Sequence, residues 1–277
     1  MVTAMDRATG GDGEFPVGAS LAGGDIVIAE AIRGDDVRGM FRARDRAGHS
    51  LLVTVTSPQK QPLEQIEADL GYQVDGIARL RHVGPLAGES HHAMVEEEPA
   101  GQPSSELELP LAPRVAVELA AELATVVARA HGEGLVLLGL RPELVYLAER
   151  DGGLHLSGIA PRADLFVIGA TPVYGAMPLF DHLFAAPEFI TMQTAAIGPA
   201  ADVFALSAVV AVWLTGEHPF EGETQTAQMG AIVNGRGRPW RGPTALGMAL
   251  ARGLERAPRA RPSLSALIAG LRGAGEA

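Results

Sequence analysis

The chain has 277 residues and a formal net charge of -11, with 33 acidic residues against 22 Lys and Arg, and it has no cysteine. That length can bury a substantial core, as one large domain or two lobes packed together. The acidic balance, with Lys60 as the single lysine and the arginines forming no obvious stripe, excludes general nucleic-acid binding; the missing thiols exclude disulfides, thiolate zinc sites and cysteine nucleophiles, and fit a reducing compartment.

Residues 1–23 are rich in Gly, Ala and Asp without sustained period and are expected to form a flexible leader. They lack the basic start and apolar stretch of a signal peptide. Gly10-Gly11-Asp12-Gly13 has no strand before it and no helix after it, so it does not qualify as a phosphate loop. From Asp25 the pattern turns strand-like. Runs at 25–32, 39–45 and 50–56, separated by Arg33-Gly34-Asp35-Asp36 and Ala47-Gly48, predict an antiparallel meander. A helix is expected over 62–72, with Leu63, Ile66 and Leu70 on one face, then strands at 77–83 and 92–96.

Pro99-Ala100-Gly101-Gln102-Pro103-Ser104-Ser105 marks a connector between halves. Beyond it the pattern is helical. Residues 114–130 place Leu119, Leu123, Val126, Val127 and Ala130 on one stripe, 201–214 is apolar nearly all round and therefore central, and 263–271 repeats Leu264, Leu267, Ile268 and Leu271 at helical spacing. The 201–214 run contains Asp202 and is shorter than the ~20 residues of a membrane span, so the expectation is a cytoplasmic protein without membrane contact. The expected organisation is a leader (1–23), a β-rich lobe (24–98), a hinge or linker (99–113) and a helical lobe (114–277).

The run His131-Gly132-Glu133-Gly134-Leu135-Val136-Leu137-Leu138-Gly139-Leu140-Arg141-Pro142-Glu143-Leu144 resembles the catalytic loop of a protein kinase, whose active form ends His-Arg-Asp-Leu-Lys-Pro-Glu-Asn. Further marks follow in order. Ala186-Pro187-Glu188 is similar to the end of a kinase activation segment. Ala201-Asp202-Val203-Phe204-Ala205-Leu206 with Leu214-Thr215-Gly216-Glu217-His218-Pro219-Phe220 resembles the central helix and its exit. Glu255-Arg256-Ala257-Pro258-Arg259-Ala260-Arg261-Pro262-Ser263 resembles the late loop whose Arg pairs with the Ala-Pro-Glu carboxylate. Over residues 25–272 the chain therefore resembles a bacterial Ser/Thr protein kinase domain of the eukaryotic type. The resemblance implies an α+β, two-lobed fold, with a small antiparallel β lobe carrying one helix and a larger, mainly helical lobe. It also implies structural roles for Glu188, Arg261 and Asp202: an ion pair between the first two, and a hydrogen bond from backbone N–H groups near Leu138-Gly139 to the third.

The same alignment removes the chemistry. Phosphoryl transfer rests on positioning and electrostatic stabilisation by a glycine-rich lid, a Lys, metal-binding groups and a base. The lid register falls on Arg33-Gly34-Asp35-Asp36-Val37-Arg38, where Asp35 and Asp36 would repel phosphate. The Lys position is Thr54, the base is Gly139, the metal-binding Asn is Leu144, the metal-binding Asp is Gly158, and the Arg that would grip a phosphorylated segment is Leu138. If each lost charge were worth ~3 kcal/mol, the barrier would rise by order 10 kcal/mol. The resemblance places Met40, Leu52 and Tyr146 at the nucleotide pocket, and the last two exceed the Ala roof and aliphatic floor of the family, so no cofactor and no metal is expected.

The function implied is that of a pseudokinase acting as a protein-binding scaffold or allosteric regulator, with a protein partner and no nucleic acid. Two alternatives stand beside it: a non-standard phosphoryl or nucleotidyl transferase drawing on Lys60, Glu143, Ser157 and Asp164, or a residual ATP-binding Ser/Thr kinase; and a relic with no dedicated partner. The segment 163–182, with Phe166, Tyr174, Met177 and Phe180, is the candidate interaction surface, either exposed or folded back into the cleft. Glu64 or Glu67 as a helix partner, His91-His92 as metal ligands and Leu156-Ser157-Gly158 as a nucleophile turn each lack the companions that their chemistry requires.

Overall fold

The structure, a computed structural model, describes residues 18, 20–21, 24–35, 38–56, 74–85, 92–148, 153–156 and 183–275. The expected helix over 62–72 and the segment 163–182 lie outside the described residues, as do Gly158 and most of the leader. Two compact units divide the chain: of the described residues, one holds 18–56 and 78–98, and the other holds 74–77, 99–148, 153–156 and 183–275.

The described residues of the first unit form a six-stranded antiparallel sheet. Its strands are β1 (Ser20–Leu21), β2 (Ile26–Asp35), β3 (Arg38–Asp45), β4 (Ser50–Thr56), β5 (Leu80–Pro85) and β6 (His92–Glu97), in the order β1-β2-β3-β4-β6-β5. Period-two alternation sends Ile26 and Ile28, Phe41 and Ala43, Leu51 and Val53, and Val95 to one buried cluster. The β3–β4 turn closes as Asp45 accepts a hydrogen bond from the His49 backbone N–H at 2.9 Å, with Gly48 at φ 87° supplying the left-handed step. Arg42 ties three elements together, donating to Glu98 at 2.6 Å and to Glu30, its cross-strand neighbour, at 2.7 Å.

In the second unit Gln102–Pro103 (β7), Val145–Leu147 (β8) and Leu154–Leu156 (β9) form a small antiparallel sheet in that order. Among the described residues of this unit the helices are α1 (Pro113–Gly132), α2 (Pro187–Ile190), α3 (Pro199–Thr215), α4 (Gln225–Val233), α5 (Thr244–Gly253) and α6 (Leu264–Gly275); α1, α3 and α6 fall on the expected helical stretches. α3 has apolar residues around its whole circumference, so it is stable only when surrounded, and it packs against α1 and α5. Its carboxyl end closes on Gly216 at φ 72°, whose N–H bonds to the Val212 carbonyl.

Three sequence expectations need revision. Residues 99–113, expected as a linker, include β7 and a 3-10 turn at Ser104–Glu106, because Ser104 is fully buried and its Oγ donates to the Pro142 carbonyl at 2.9 Å. Ile77, expected to open a strand, forms an isolated parallel bridge to Leu156 instead. α4 and α5 were not foreseen, since internal glycines at Gly230 and Gly247 dilute any apolar stripe.

The α5–α3 crossing is close enough to test. A Cβ on Gly253 would stand 1.9 Å from Ser207 Oγ and 2.9 Å from Ser207 Cβ. Gly253→Ala is therefore expected to destabilise the protein by ~1–3 kcal/mol through overpacking, although Ala is favoured over Gly inside a helix by about 1 kcal/mol. Urea denaturation checks the sign, and adding Ser207→Gly should recover part of the loss.

Candidate functional site

The loop from Glu133 to Arg141 connects α1 to a 3-10 turn at Pro142–Leu144 and then β8. One carboxylate takes two of its backbone N–H groups. Asp202 sits in the first turn of α3 with no exposed surface, and it accepts hydrogen bonds from the backbone N–H groups of Leu137 and Leu138, both at 2.8 Å. His131 Nε2 lies 2.8 Å from the same carboxylate. A carboxylate near a helix amino terminus is also favoured by the exposed N–H dipoles of that turn.

The clamp holds an uncommon backbone. Leu138 has φ 48°, and the Gly139 N–H bonds to the Leu137 carbonyl, which makes Leu138 the centre of a three-residue turn that a side chain normally avoids. A non-glycine residue held there costs on the order of 1–3 kcal/mol. The surroundings over-determine the turn: Leu135, Val136, Leu137, Leu138 and Leu140 are all buried, and Ser104 fixes the Pro142 carbonyl just beyond.

Within this frame Gly139 is half-buried and offers no side chain, while Leu144 is buried in the apolar interior. The position of the kinase loop's Lys is Arg141, which sequence reading passed over. It is 5% exposed, and its Nε lies 3.9 Å from a Glu143 carboxylate oxygen, too long for a hydrogen bond. Its place immediately before Pro142-Glu143 was the available signal. Tyr146 is buried in β8, paired with His155 of β9 and Pro103 of β7. In the sheet unit, Thr54 pairs with Met40 and with Met94, Leu52 is buried in β4, and Met40 is half-buried.

A second buried charge cluster lies at α2. Arg261 Nη1 donates to Glu188 Oε1 at 2.6 Å and Nη2 to Oε2 at 2.8 Å, a bidentate pair with both side chains almost wholly excluded from water. The remaining donors are also used. Nε reaches the Glu255 carbonyl at 2.7 Å, Nη1 the Ala200 carbonyl at 2.9 Å and Nη2 the Arg256 carbonyl at 3.1 Å. The guanidinium lies 5.0 Å from the Phe204 ring centre, and Phe204 stacks on Phe220 at 5.7 Å. One residue thereby joins α2, α3 and the loop before α6. The structure brings Glu188 and Arg261 into contact, and Asp202 onto the loop, at positions where the sequence kept ionisable groups. Among the described residues, no cluster of three His, Asp or Glu side chains is placed to hold a metal ion.

No family model matches the chain. Among curated proteins it is similar to calcium-dependent protein kinase 7 of Oryza sativa subsp. japonica, 26% identical over 133 residues, covering 46% of this chain and 23% of that protein. It is also similar to calcium-dependent protein kinase 5 of the same plant, 27% identical over 124 residues, covering 44% of this chain and 21% of the relative. Less than a quarter of either kinase is therefore matched. Among solved structures it is similar to Rad53 1-466 in complex with AMP-PNP, with a TM-score of 0.67 and 17% identity over 90% of this chain and 66% of that one. Taken with the loop and the buried charges, these likenesses give the chain a distant protein-kinase-like fold, mixed α/β with a small sheet and a helical region.

Proposed function

We propose that this chain is a pseudokinase, a catalytically degenerate relative of bacterial Ser/Thr protein kinases that works in the cytoplasm as a protein-binding scaffold or allosteric regulator. One observation carries the reading: the Asp202 clamp and its strained Leu138 turn are kept, while the side chains that such a turn would aim at a phosphate are a glycine at 139 and a buried leucine at 144. Strain of this kind persists where the surrounding structure supports it, and here that support serves the helical unit's own architecture. Thr54 in place of a Lys, and Gly158 in place of a carboxylate, extend the same pattern.

The competing reading, a non-standard phosphoryl or nucleotidyl transferase, draws its support from Arg141, a buried cation beside Glu143. Incubation with γ-labelled ATP, magnesium or manganese, and casein as acceptor separates the two. The expected outcome is no transfer to casein or to the chain itself above a heat-denatured control. Transfer that disappears in Arg141→Ala would replace the pseudokinase reading with the transferase.

A further inference from the structure

The chain as a whole is acidic, yet between Asn234 and Ala260 it carries six arginines (Arg236, Arg238, Arg241, Arg252, Arg256 and Arg259) against one acidic residue, Glu255. Along the sequence they look scattered. The fold gathers three of them: the carboxyl end of α3, the loop 234–241 and α5 border a cleft of about 410 Å³ whose lining includes Arg238, Arg241 and Arg256 together with Glu217 and Glu255. Phe220 and Gly237 form an isolated antiparallel bridge, and the Arg238 N–H donates to the Pro219 carbonyl at 2.7 Å, which seats the arginine loop against the exit of α3.

The cleft wall is preformed. Trp240 Nε1 donates to the Pro243 carbonyl at 2.9 Å, and the indole lies close against the chain at two glycines. A Cβ would stand 2.6 Å from the ring at Gly242 and 2.5 Å from it at Gly247. The charges are unevenly matched. Glu217 alone faces both Arg238, at 3.1 Å, and Arg241, at 3.7 Å, while Glu221 lies 3.5 Å from Arg238. Arg238 Nε is buried with no acceptor among the described residues. On α5, where Gly247, Leu250, Ala251 and Leu254 line the cleft, Met248 is 69% exposed and lies one helical turn from Ala251 and Arg252.

We infer that this cleft docks an acidic linear segment of a partner protein, one bulky apolar side chain entering against Trp240 while neighbouring carboxylates meet Arg241 and Arg256. Charge complementarity selects the occupant: three guanidinium groups against the carboxylates of Glu217 and Glu255 leave the cleft net positive in an acidic chain, and a cleft of this size takes one or two side chains. A nucleic-acid backbone requires a longer stripe of cations than three arginines provide; a membrane requires a broad apolar face, which a single exposed Met248 does not supply. The inference rests on the reading of the chain as a binding module and names its partner class.

Phage-displayed random peptides selected on the full chain, then remade as fluorescein-labelled synthetic peptides, provide the test. Enriched sequences should combine Asp or Glu with a large apolar residue. Binding should weaken about tenfold in Arg241→Glu and again in Arg256→Glu, weaken in Gly247→Ala, which displaces the indole, and change less than about twofold in Arg259→Glu, which lies off the cleft. Arg241 is exposed, so its reversal leaves the fold intact, as circular dichroism would verify. No enrichment over the Arg241→Glu/Arg256→Glu double variant, or enrichment of basic sequences, overturns the inference. So does binding of polyuridylate or phosphatidylserine vesicles that the same variants abolish, which would make the face a nucleic-acid or membrane site. If peptides fail while the chain still transfers no phosphate, only this inference falls; if the chain transfers phosphate, the pseudokinase reading falls instead.

Discussion

Arg261→Ala is expected to remove ~3–5 kcal/mol of stability, because it strands the Glu188 carboxylate in a site without water. Folded domains are stable by only about 5–15 kcal/mol, so a large part of the margin would go. The three carbonyls at Ala200, Glu255 and Arg256 lose a donor at the same time, as does the Phe204 ring its cation. Arg261→Lys should recover little, since an ammonium cannot make the paired bonds to both carboxylate oxygens. Replacing both partners together, as in Glu188→Leu with Arg261→Met, should cost less than Arg261→Ala alone, as no charge is left behind. Urea unfolding of the three variants measures the ordering. An unchanged midpoint for Arg261→Ala would contradict the assignment of this pair as the anchor of α2.

Asp202→Ala is expected to cost a similar ~3–5 kcal/mol, by a different route. Two buried N–H groups lose their acceptor, each at about 1–3 kcal/mol, and the left-handed turn at Leu138 loses the clamp that holds it. The loop should then relax toward an ordinary conformation. Hydrogen exchange separates this from general unfolding: protection at the Leu137 and Leu138 amides should be lost in Asp202→Ala under conditions where the core of α1 stays protected. Retained protection at those two amides would show that the loop is held by its leucines and not by the carboxylate.

β4 was readable because alternation survives in it: Ser50–Thr56 emerges as expected, with Leu51 and Val53 in the core. α3 was readable for the opposite reason, an unbroken apolar circumference that only a central helix can carry. The order of Asp202, Glu188 and Arg261 was legible from the resemblance, since ionisable residues in otherwise apolar or turn contexts require partners. Ser104 was not, because a Pro, Gly and Ser-rich stretch reads as connector, and only the fold shows that its hydroxyl reaches Pro142, 38 residues away. The arginine cleft was hidden for a similar reason. Arg238, Arg241 and Arg256 have no common helical or strand period, and they meet only through the closure of the 234–241 loop on the end of α3. Thr54, Leu52 and Met40 belong to the sheet unit, and Gly139, Leu144 and Tyr146 to the helical one.

A chain with Thr54, Gly139, Leu144 and Gly158 at the phosphate and metal positions should not bind nucleotide. Calorimetric titration of the full chain with ATP, in magnesium and separately in manganese, should show no saturable heat up to millimolar concentration, and the melting temperature should not move with either. A ligand present at a hundred times its dissociation constant would stabilise the folded state by ~2.7 kcal/mol, so binding at micromolar affinity could not escape detection. Saturable binding of ATP, with a melting temperature that rises with its concentration, would contradict the pseudokinase reading and return the chain to the nucleotide-dependent enzymes.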